Sequence, residues 1–542
     1  MQAIQIHPRD TVAVAVEDLA AGTSVNVGGR TRTLVDAIPA GHKFALGPHD
    51  TGDVVVKYGY PIGRATAPIA PGVHVHTQNL RTALAGDEAY RYDASSAPSV
   101  PTGDGGGPTF QGYRRADGRV GTRNEIWVLN TVGCVNHAAQ QVARLAERRF
   151  AHRLTPLARA GYGDDRTDTN RGDSGTKNGA VLDGVHAFPH PFGCSQLGDD
   201  LQYTQRVLAS LLRHPNAGGV VLLGLGCENN QLDALLDAAD DLSDGPFDRS
   251  RLRTLTAQMV GNEIEAGLDA VADLLDVMAD DRREPCPASD LVLGLKCGGS
   301  DGFSGITANP LVGRIADRLT NLKGAAVLTE VPEMFGAERV LMQRAVSRAV
   351  FDDVVAMIND FKAYFRDHGQ PIYENPSPGN KDGGLTTLEE KSLGAIQKGG
   401  TAPVTEVTRY GEPLRAGASG LTLLESPGND GVSATALTAA GATVLLFTTG
   451  RGTPLGFPAP TVKIATNTAL ADRKPHWIDF DAGRLLAGDA SDGLAAETSE
   501  TIDTLADALF EQILAVASGT VPTNNERYDV REIAIWKHGV TL

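Results

Sequence analysis

Short apolar runs broken by glycine and proline fill the first ninety positions, at 11–16, 24–27, 43–46, 53–57 and 73–75. Turns such as Gly28-Gly29 and Gly47-Pro48 separate them, so the pattern predicts a small β domain over 1–93, with one helical turn hinted at over 34–38. Over 94–109 the chain changes to Ala, Ser, Pro, Thr and Gly, ending in Gly105-Gly106-Gly107-Pro108, which reads as a flexible linker with no material for a core. Beyond Phe110 the pattern changes again. Apolar runs at 126–129, 220–225, 291–295, 325–328, 421–424 and 444–447 suit buried strands, and amphipathic stretches at 138–150, 201–213, 264–278 and 338–365 suit helices. Strand and helix in alternation predict α/β layers with largely parallel sheets, whose ligands gather at the carboxyl ends of the strands. A Gly-Gly-Thr-Ala-Pro stretch near 399–407 divides a central α/β domain, 110–400, from a C-terminal α/β domain, 401–542, that ends in a helix over 499–517.

A chain of 542 residues is too long for one hydrophobic core, which agrees with several domains. Apolar residues at 41% and charged residues at 21% describe an ordinary globular composition. No run is long enough to span a bilayer, and Met1 is followed by no basic segment and apolar run, so the expected compartment is the cytoplasm. A formal net charge of −17 repels nucleic acid and anionic lipid, which excludes both as expected partners. It also works against an anionic substrate. An enzyme for one needs locally placed Arg, Lys or metal.

Five widely spaced cysteines do not make a disulfide framework. Four share one setting, an apolar strand running into a glycine-rich turn: Cys134, Cys194, Cys227 and Cys297. In a parallel sheet such thiols can converge, and three of them suit an iron–sulfur cluster with one iron left open. Each can equally be a small buried hydrophobe at a crowded turn. The expectation carried forward places Cys194, Cys227 and Cys297 in one pocket, with Cys134 as a fourth member.

His74 and His76, two apart in Gly72-Val-His-Val-His-Thr77, share one face if that segment is a strand, and neutral imidazoles there can ligate iron, manganese or zinc. His42 is a candidate for proton transfer, and His190 stands four residues before Cys194. Candidate anion-binding cations are Arg119 and Arg123 before a strand, Lys296 beside Cys297, Lys381 next to Asn380, and Arg451 in Thr449-Gly-Arg-Gly-Thr-Pro454. Glu330 and Glu333, after the run at 325–328, read as metal ligands, an acid-base pair or a helix cap. No phosphate-binding glycine loop of the Gly-x-Gly-x-x-Gly or Gly-x-x-x-x-Gly-Lys-Ser/Thr kind occurs, which argues against NAD and ATP chemistry.

Several long phrases carry a resemblance: Phe110-Gln-Gly-Tyr-Arg-Arg-Ala-Asp-Gly-Arg-Val-Gly-Thr-Arg-Asn124, Phe188-Pro-His-Pro-Phe-Gly-Cys-Ser-Gln-Leu-Gly198, Leu223-Gly-Leu-Gly-Cys-Glu-Asn229, Cys297-Gly-Gly-Ser-Asp-Gly-Phe-Ser-Gly-Ile-Thr-Ala-Asn-Pro310, Asn375-Pro-Ser-Pro-Gly-Asn-Lys381 and Thr448-Thr-Gly-Arg-Gly-Thr-Pro454. In that order, from about His7 to about Asp481, the chain resembles the altronate and galactarate dehydratases, and its β domain is similar to their SAF domain, a β-clip module. The resemblance implies a hydro-lyase that removes water from a sugar acid, above all altronate, to give a 2-keto-3-deoxy acid, with iron(II) or manganese(II) as cofactor; the iron–sulfur cluster rests on the cysteine pattern alone. For that reaction the candidate catalytic residues are His42, His74, His76 and Lys381, the candidate substrate-binding ones Arg123, Arg451 and Asn380, and the candidate metal ligands His74, His76, Cys194, Cys227 and Cys297. The expected partner is a small-molecule sugar acid, with self-association into a homo-oligomer left open. Galactarate dehydration, a sulfolactate-type lyase and a non-catalytic sugar-acid binding protein remain the alternatives.

Overall fold

The N-terminal pattern forms an antiparallel β domain in a computed structural model, which describes residues 2–84, 89–94, 97–98, 107–155, 157, 181–242, 248–487 and 501–538. Strands β1 (Ala3–Ile4), β2 (Val12–Ala15), β3 (Lys43–Ala45) and β4 (His74–Val75) form one sheet in that order. Hairpins Ser24–Val27 with Arg30–Thr33, and Val54–Lys57 with Tyr60–Ala65, complete the domain. Pairing of β3 with β4 sets Phe44 opposite His74 and Lys43 opposite Val75. This register brings His42, just before β3, to the imidazoles that flank Val75. Residues 34–38 are not a helical turn: Ile38 bridges to Leu19, and both Leu34 and Ile38 enter the domain's apolar core.

The body contains two parallel sheets. In the first, β5 (Glu125–Asn130), β6 (Gly184–Ala187), β7 (Ala217–Gly224) and β8 (Leu252–Thr256) lie in the order β6-β5-β7-β8. Alternate side chains of β5 point to opposite faces. Ile126 and Val128 pack with helices α1 (Asn136–Arg149) and α4 (Glu263–Val277), while Trp127 and Leu129 join the core shared with α2 (Gly198–Leu212) and α3 (Leu232–Asp241).

In the second sheet, β9 (Val292–Cys297), β10 (Ala325–Leu328), β11 (Val404–Thr408), β12 (Gly420–Leu424), β13 (Val444–Thr449), β14 (Thr461–Ala465) and β15 (Phe480–Asp481) run parallel, in the order β11-β12-β10-β9-β13-β14-β15. The helices here are α5 (Ala308–Asn321), α6 (Arg348–Asp367), α7 (Pro378–Asp382), α8 (Leu388–Ala395), α9 (Asp430–Ala439) and α10 (Ile502–Ala517). The boundary expected near 400 is not a division between sheets, because β10 pairs with β9 on one side and β12 on the other. The run at 338–365 also divides: Val346 donates to the Val404 carbonyl and Ser347 caps α6, so a short helix, Glu338–Met342, stands apart from it. Strands β6, β8, β11 and β14 escape the apolar-run pattern because they carry polar residues such as His186, Arg253, Thr405 and Lys463.

After β9 and β10 the chain adds strands on one side, then returns to place β13 on the other side of β9. The carboxyl ends of β9 and β13 therefore form a topological switch point, where neighbouring loops turn apart and leave room for a ligand. The β domain packs over this end, with Val12, Val55, Ile62 and Val75 in one continuous core with Leu295, Leu328 and Leu388. The linker expected over 94–109 lies mostly outside the described residues. Just before it, Tyr90 donates to Glu338 and Tyr92 packs edge-on against Phe351, so the departing chain is laid on the body. Among the described residues no helix is long and apolar enough to cross a membrane.

Candidate active site

Three imidazoles meet where the β domain touches the body. The ring centroids of His42, His74 and His76 are 5.0 to 5.5 Å apart. His42 Nε2 lies 3.2 Å from the Asp382 carbonyl, which can only accept, so that nitrogen carries the proton. His42 Nδ1, 3.0 Å from His74 Nε2, then accepts from it, and the lone pair of His74 is left on Nδ1. His76 Nδ1 is 2.9 Å from the Thr386 hydroxyl. Burial, then the neighbouring His42 and Lys43, push His74 down to about 4. Burial, then Lys43, His42 and His74, do the same to His76. Burial also lowers His42, against the Asp382 hydrogen bond. At neutral pH all three are uncharged, the form that accepts protons or binds metal.

Positive charge beside them is built in. Lys43 Nζ, wholly buried, donates to Thr386 Oγ1 at 2.6 Å, the Gly384 carbonyl at 3.1 Å and Glu390 Oε2 at 2.8 Å, and Lys57 takes the other Glu390 oxygen at 2.8 Å. Two ammonium groups share one carboxylate. Burial opposes ionisation of Glu390, but Lys43 and Lys57 outweigh it and hold the carboxyl down to about 2. The triad thus carries a net positive charge and ties the β domain to α8.

The loops of the switch point lie against the same place. Gly302 donates to the Gly383 carbonyl at 2.7 Å, Asn380 Nδ2 donates to the Ser300 carbonyl at 2.8 Å, and Arg451 donates its backbone N–H to Gly299 at 2.9 Å. Asp301 is buried and accepts from Ser304, Thr466 and Asn467, which fixes the turn between β9 and β14. The side chains of Lys381 and Arg451 make no hydrogen bond or ion pair within the described chain, so both cations are available to an anion. Asn380, expected to bind substrate, is instead used up: its oxygen accepts from Ser377 and Lys391 while its nitrogen holds Ser300.

Two glycines let the β domain come this close. A Cβ on Gly302 or on Gly384 would fall on the carbonyl of Gly41, the residue before His42, and Gly384 also has φ 102°. Gly302→Ala is expected to push the histidines off the body and abolish turnover, with far-UV circular dichroism unchanged. Wild-type turnover in that variant would show that the close approach is dispensable.

Behind the loop, Cys297, Glu330 and Glu333 form the one group among the described residues whose potential metal-ligating atoms all lie within 4.8 Å of one another. Cations already occupy it: Lys398 is 2.9 Å from the Cys297 sulfur, Lys391 2.8 Å from Glu333 and Lys296 2.5 Å from Glu330. Burial and then Glu333 push the Cys297 thiol up to about 12. A protonated thiol among three ammonium groups does not suit a metal ion. Glu330 also holds a left-handed backbone, φ 72°, and the strain is kept by its pairing with Lys296. Lys391 links this cluster to Asn380 and Asn375. Sequence pattern could not reveal Lys391 or Glu390, since α8 is buried on every face and shows no amphipathic stripe.

Other expectations fall elsewhere. Arg123 binds no substrate: its side chain is wholly buried, paired with both oxygens of Glu526 at 2.6 and 3.0 Å and donating to the carbonyls of Thr122 and Val516. Arg119 pairs with Asp117. His190 donates from Nε2 to the Asn130 carbonyl and accepts from Phe192 at Nδ1, a packing role. Cys297 does not share a pocket with Cys194 and Cys227: it is buried at the end of β9, whereas they are exposed, with Cys134, on loops of the four-stranded sheet. A cavity of about 1040 Å³ lies within the β domain between Gln5, Arg30, Arg32 and His49, away from the imidazoles.

An SAF domain seated over the switch point of a parallel sheet, with neutral imidazoles and free cations between them, defines a sugar-acid dehydratase. Residues 1–83 match the altronate/galactarate dehydratase SAF domain, 112–279 the D-galactarate dehydratase/altronate hydrolase second domain, and 288–541 the D-galactarate/altronate dehydratase C-terminal domain. The chain belongs to the altronate/galactarate dehydratase family. It is 49% identical to the altronate dehydratase of Escherichia coli (strain K12) over 100% of both chains, and 45% identical to that of Bacillus subtilis (strain 168) over 99% of both. To the galactarate dehydratase (L-threo-forming) of Escherichia coli it is 33% identical, over 97% of this chain and 94% of the other.

Proposed function

We propose that the protein dehydrates D-altronate to 2-keto-3-deoxy-D-gluconate. The observation that carries this choice is the full-length identity of 49% and 45% to altronate dehydratases, against 33% to a galactarate dehydratase. Loss of the proton at C2, next to the carboxylate, builds enediolate charge, which needs cations in a site poor in water. Lys381 and Arg451 supply free cations, and the Lys43–Lys57–Glu390 triad adds a fixed positive field. His74, its lone pair placed on Nδ1 by His42, takes the C2 proton. The imidazolium so formed gives that proton to the departing C3 hydroxyl, with His76, hydrogen-bonded to Thr386, beside it, and the enol becomes the ketone. His42 is a positioning residue in this scheme.

The same lone pairs also suit a divalent iron or manganese ion, which His74 and His76 would hold instead of transferring protons, and which would then supply Lewis-acid stabilisation of the substrate oxygens. The test is turnover by anaerobic full-length protein with iron(II), without NAD, ATP or pyridoxal phosphate, on D-altronate, galactarate and sulfolactate. Ketoacid should form fastest from D-altronate. Preference for another acid would change the substrate assignment, and no ketoacid from any sugar acid would overturn the hydro-lyase reading.

A further inference from the structure

The three cysteines that the active site does not use converge at another sheet edge. Cys134 follows β5, Cys194 follows β6 and Cys227 follows β7, three neighbouring parallel strands, so all three stand beyond carboxyl ends on one side of the sheet. Their loops are bonded to one another. Gly133 donates to Phe192 at 2.9 Å, Asn230 to Gly193 at 3.1 Å, Ser195 to the Asn229 side chain at 2.7 Å, and the Asn230 side chain to Thr131 at 2.9 Å. Glu228 adds a tie, accepting from Leu225 and Gly226 and from the Thr131 hydroxyl.

All three thiols are exposed, although cysteine is among the most buried residue types. Packing therefore does not explain them. The backbone bends to place them: Ser195, next to Cys194, has φ 56°, and Gly226, next to Cys227, has φ 127°. Helices α1, α2 and α3 start two, four and five residues after the respective cysteines, and none has a side-chain cap on its N-terminus. Three helix N-termini, with their dipoles directed to the same place, favour an anionic group there. Two buried amide oxygens without a partner, Asn130 Oδ1 and Asn230 Oδ1, belong to the same loops.

We propose that Cys134, Cys194 and Cys227 form a three-thiolate site for a cuboidal iron–sulfur cluster, with one iron left without a protein ligand. A single tetrahedral ion needs thiolates about 3.8 Å apart, given metal–sulfur bonds of about 2.3 Å. The three sulfurs do not all lie within 4.8 Å of one another, and the thiolates of a cuboidal cluster sit on separate irons, farther apart than those on a single ion. Each thiol loses its proton as it ligates, and iron(II) and iron(III) in equal amounts, with inorganic sulfide, complete the cluster without any electron transfer. The site is separate from the imidazoles, so its test is independent of the dehydration reading.

The test is iron and acid-labile sulfide content, with visible absorption, of full-length protein purified anaerobically and then incubated with equal amounts of iron(II) and iron(III) and with sulfide. Both elements should be present in near-equal amounts, and Cys134→Ser, Cys194→Ser and Cys227→Ser should each lose them at an unchanged melting temperature. His74→Gln, which touches only the proposed mononuclear ion, should keep the sulfide. If a serine variant fails to fold, alkylation of the wild type decides: the three thiols should be protected from iodoacetamide until iron is chelated, with buried Cys286 unreactive throughout. Sulfide-free protein after incubation, retention of iron and sulfide in folded variants, or equal alkylation with and without chelator would overturn the proposal.

Discussion

Glu390→Gln is expected to destabilise the protein by roughly 3–5 kcal/mol, the usual cost of leaving buried charge without its partner. Lys43 and Lys57 each lie 2.8 Å from one oxygen of this carboxylate, with side chains 0 to 1% exposed. The glutamine keeps shape but removes the negative charge, and the remaining partners of Lys43, the Gly384 carbonyl and the Thr386 hydroxyl, are neutral. The strain falls on the junction between β domain and body, so turnover should be lost at lower urea than bulk tryptophan fluorescence reports. A triple change, Lys43→Met, Lys57→Met and Glu390→Leu, should recover much of the stability, because buried apolar groups of similar size often replace an ion cluster at no cost. It should not recover activity, since the positive field beside the imidazoles is gone. An unchanged urea midpoint for Glu390→Gln would show that the triad does not hold the junction.

His74→Gln is expected to reduce kcat by about 10²- to 10⁴-fold, the range for loss of a general base, with the fold intact. The same residue predicts a pH signature in metal-free protein. His74 and His76 are held at about 4 in the folded chain against an ordinary value of 6.5. As pH falls below 6.5 the unfolded chain takes up protons before the folded one does. Stability is therefore level above that pH and declines between about 6.5 and 4, where the folded imidazoles also protonate. His74→Gln with His76→Gln should flatten this decline in urea midpoints read at about pH 5 and 7. An identical slope in wild type and double variant would remove the buried-imidazole account.

Much of the fold follows from pattern. Alternating short runs before residue 84 and apolar runs such as 325–328 and 444–447 are local signals of strand, and each appears where expected. The His-x-His spacing placed His74 and His76 on one face, since side chains on a strand repeat every two residues. Electrostatics was far less legible. Arg123, with a Gly-rich context that suggested a ligand, hydrogen-bonds through all three guanidinium nitrogens inside the body, two of them to Glu526, 403 residues away in sequence. Glu390 and Lys391 carry no sequence signal at all, because a helix buried on every face has no polar side to mark which polar residues matter.

By itself the sequence determined the family, the α/β class, the strand-end setting of four cysteines and the pairing of His74 with His76, because long ordered phrases and local periodicity need no knowledge of the rest of the chain. Only the tertiary structure decided which of these meet. Strand order placed β13 beside β9 and so made the switch point, and the same order put Cys297 in one sheet and Cys134, Cys194 and Cys227 at the edge of another. Docking through the Lys43–Glu390 contact brought His42 to Asp382, 340 residues on. The physical reason is that periodicity records which face of an element is buried, whereas the partner on that face is chosen by strand order and packing across the whole chain.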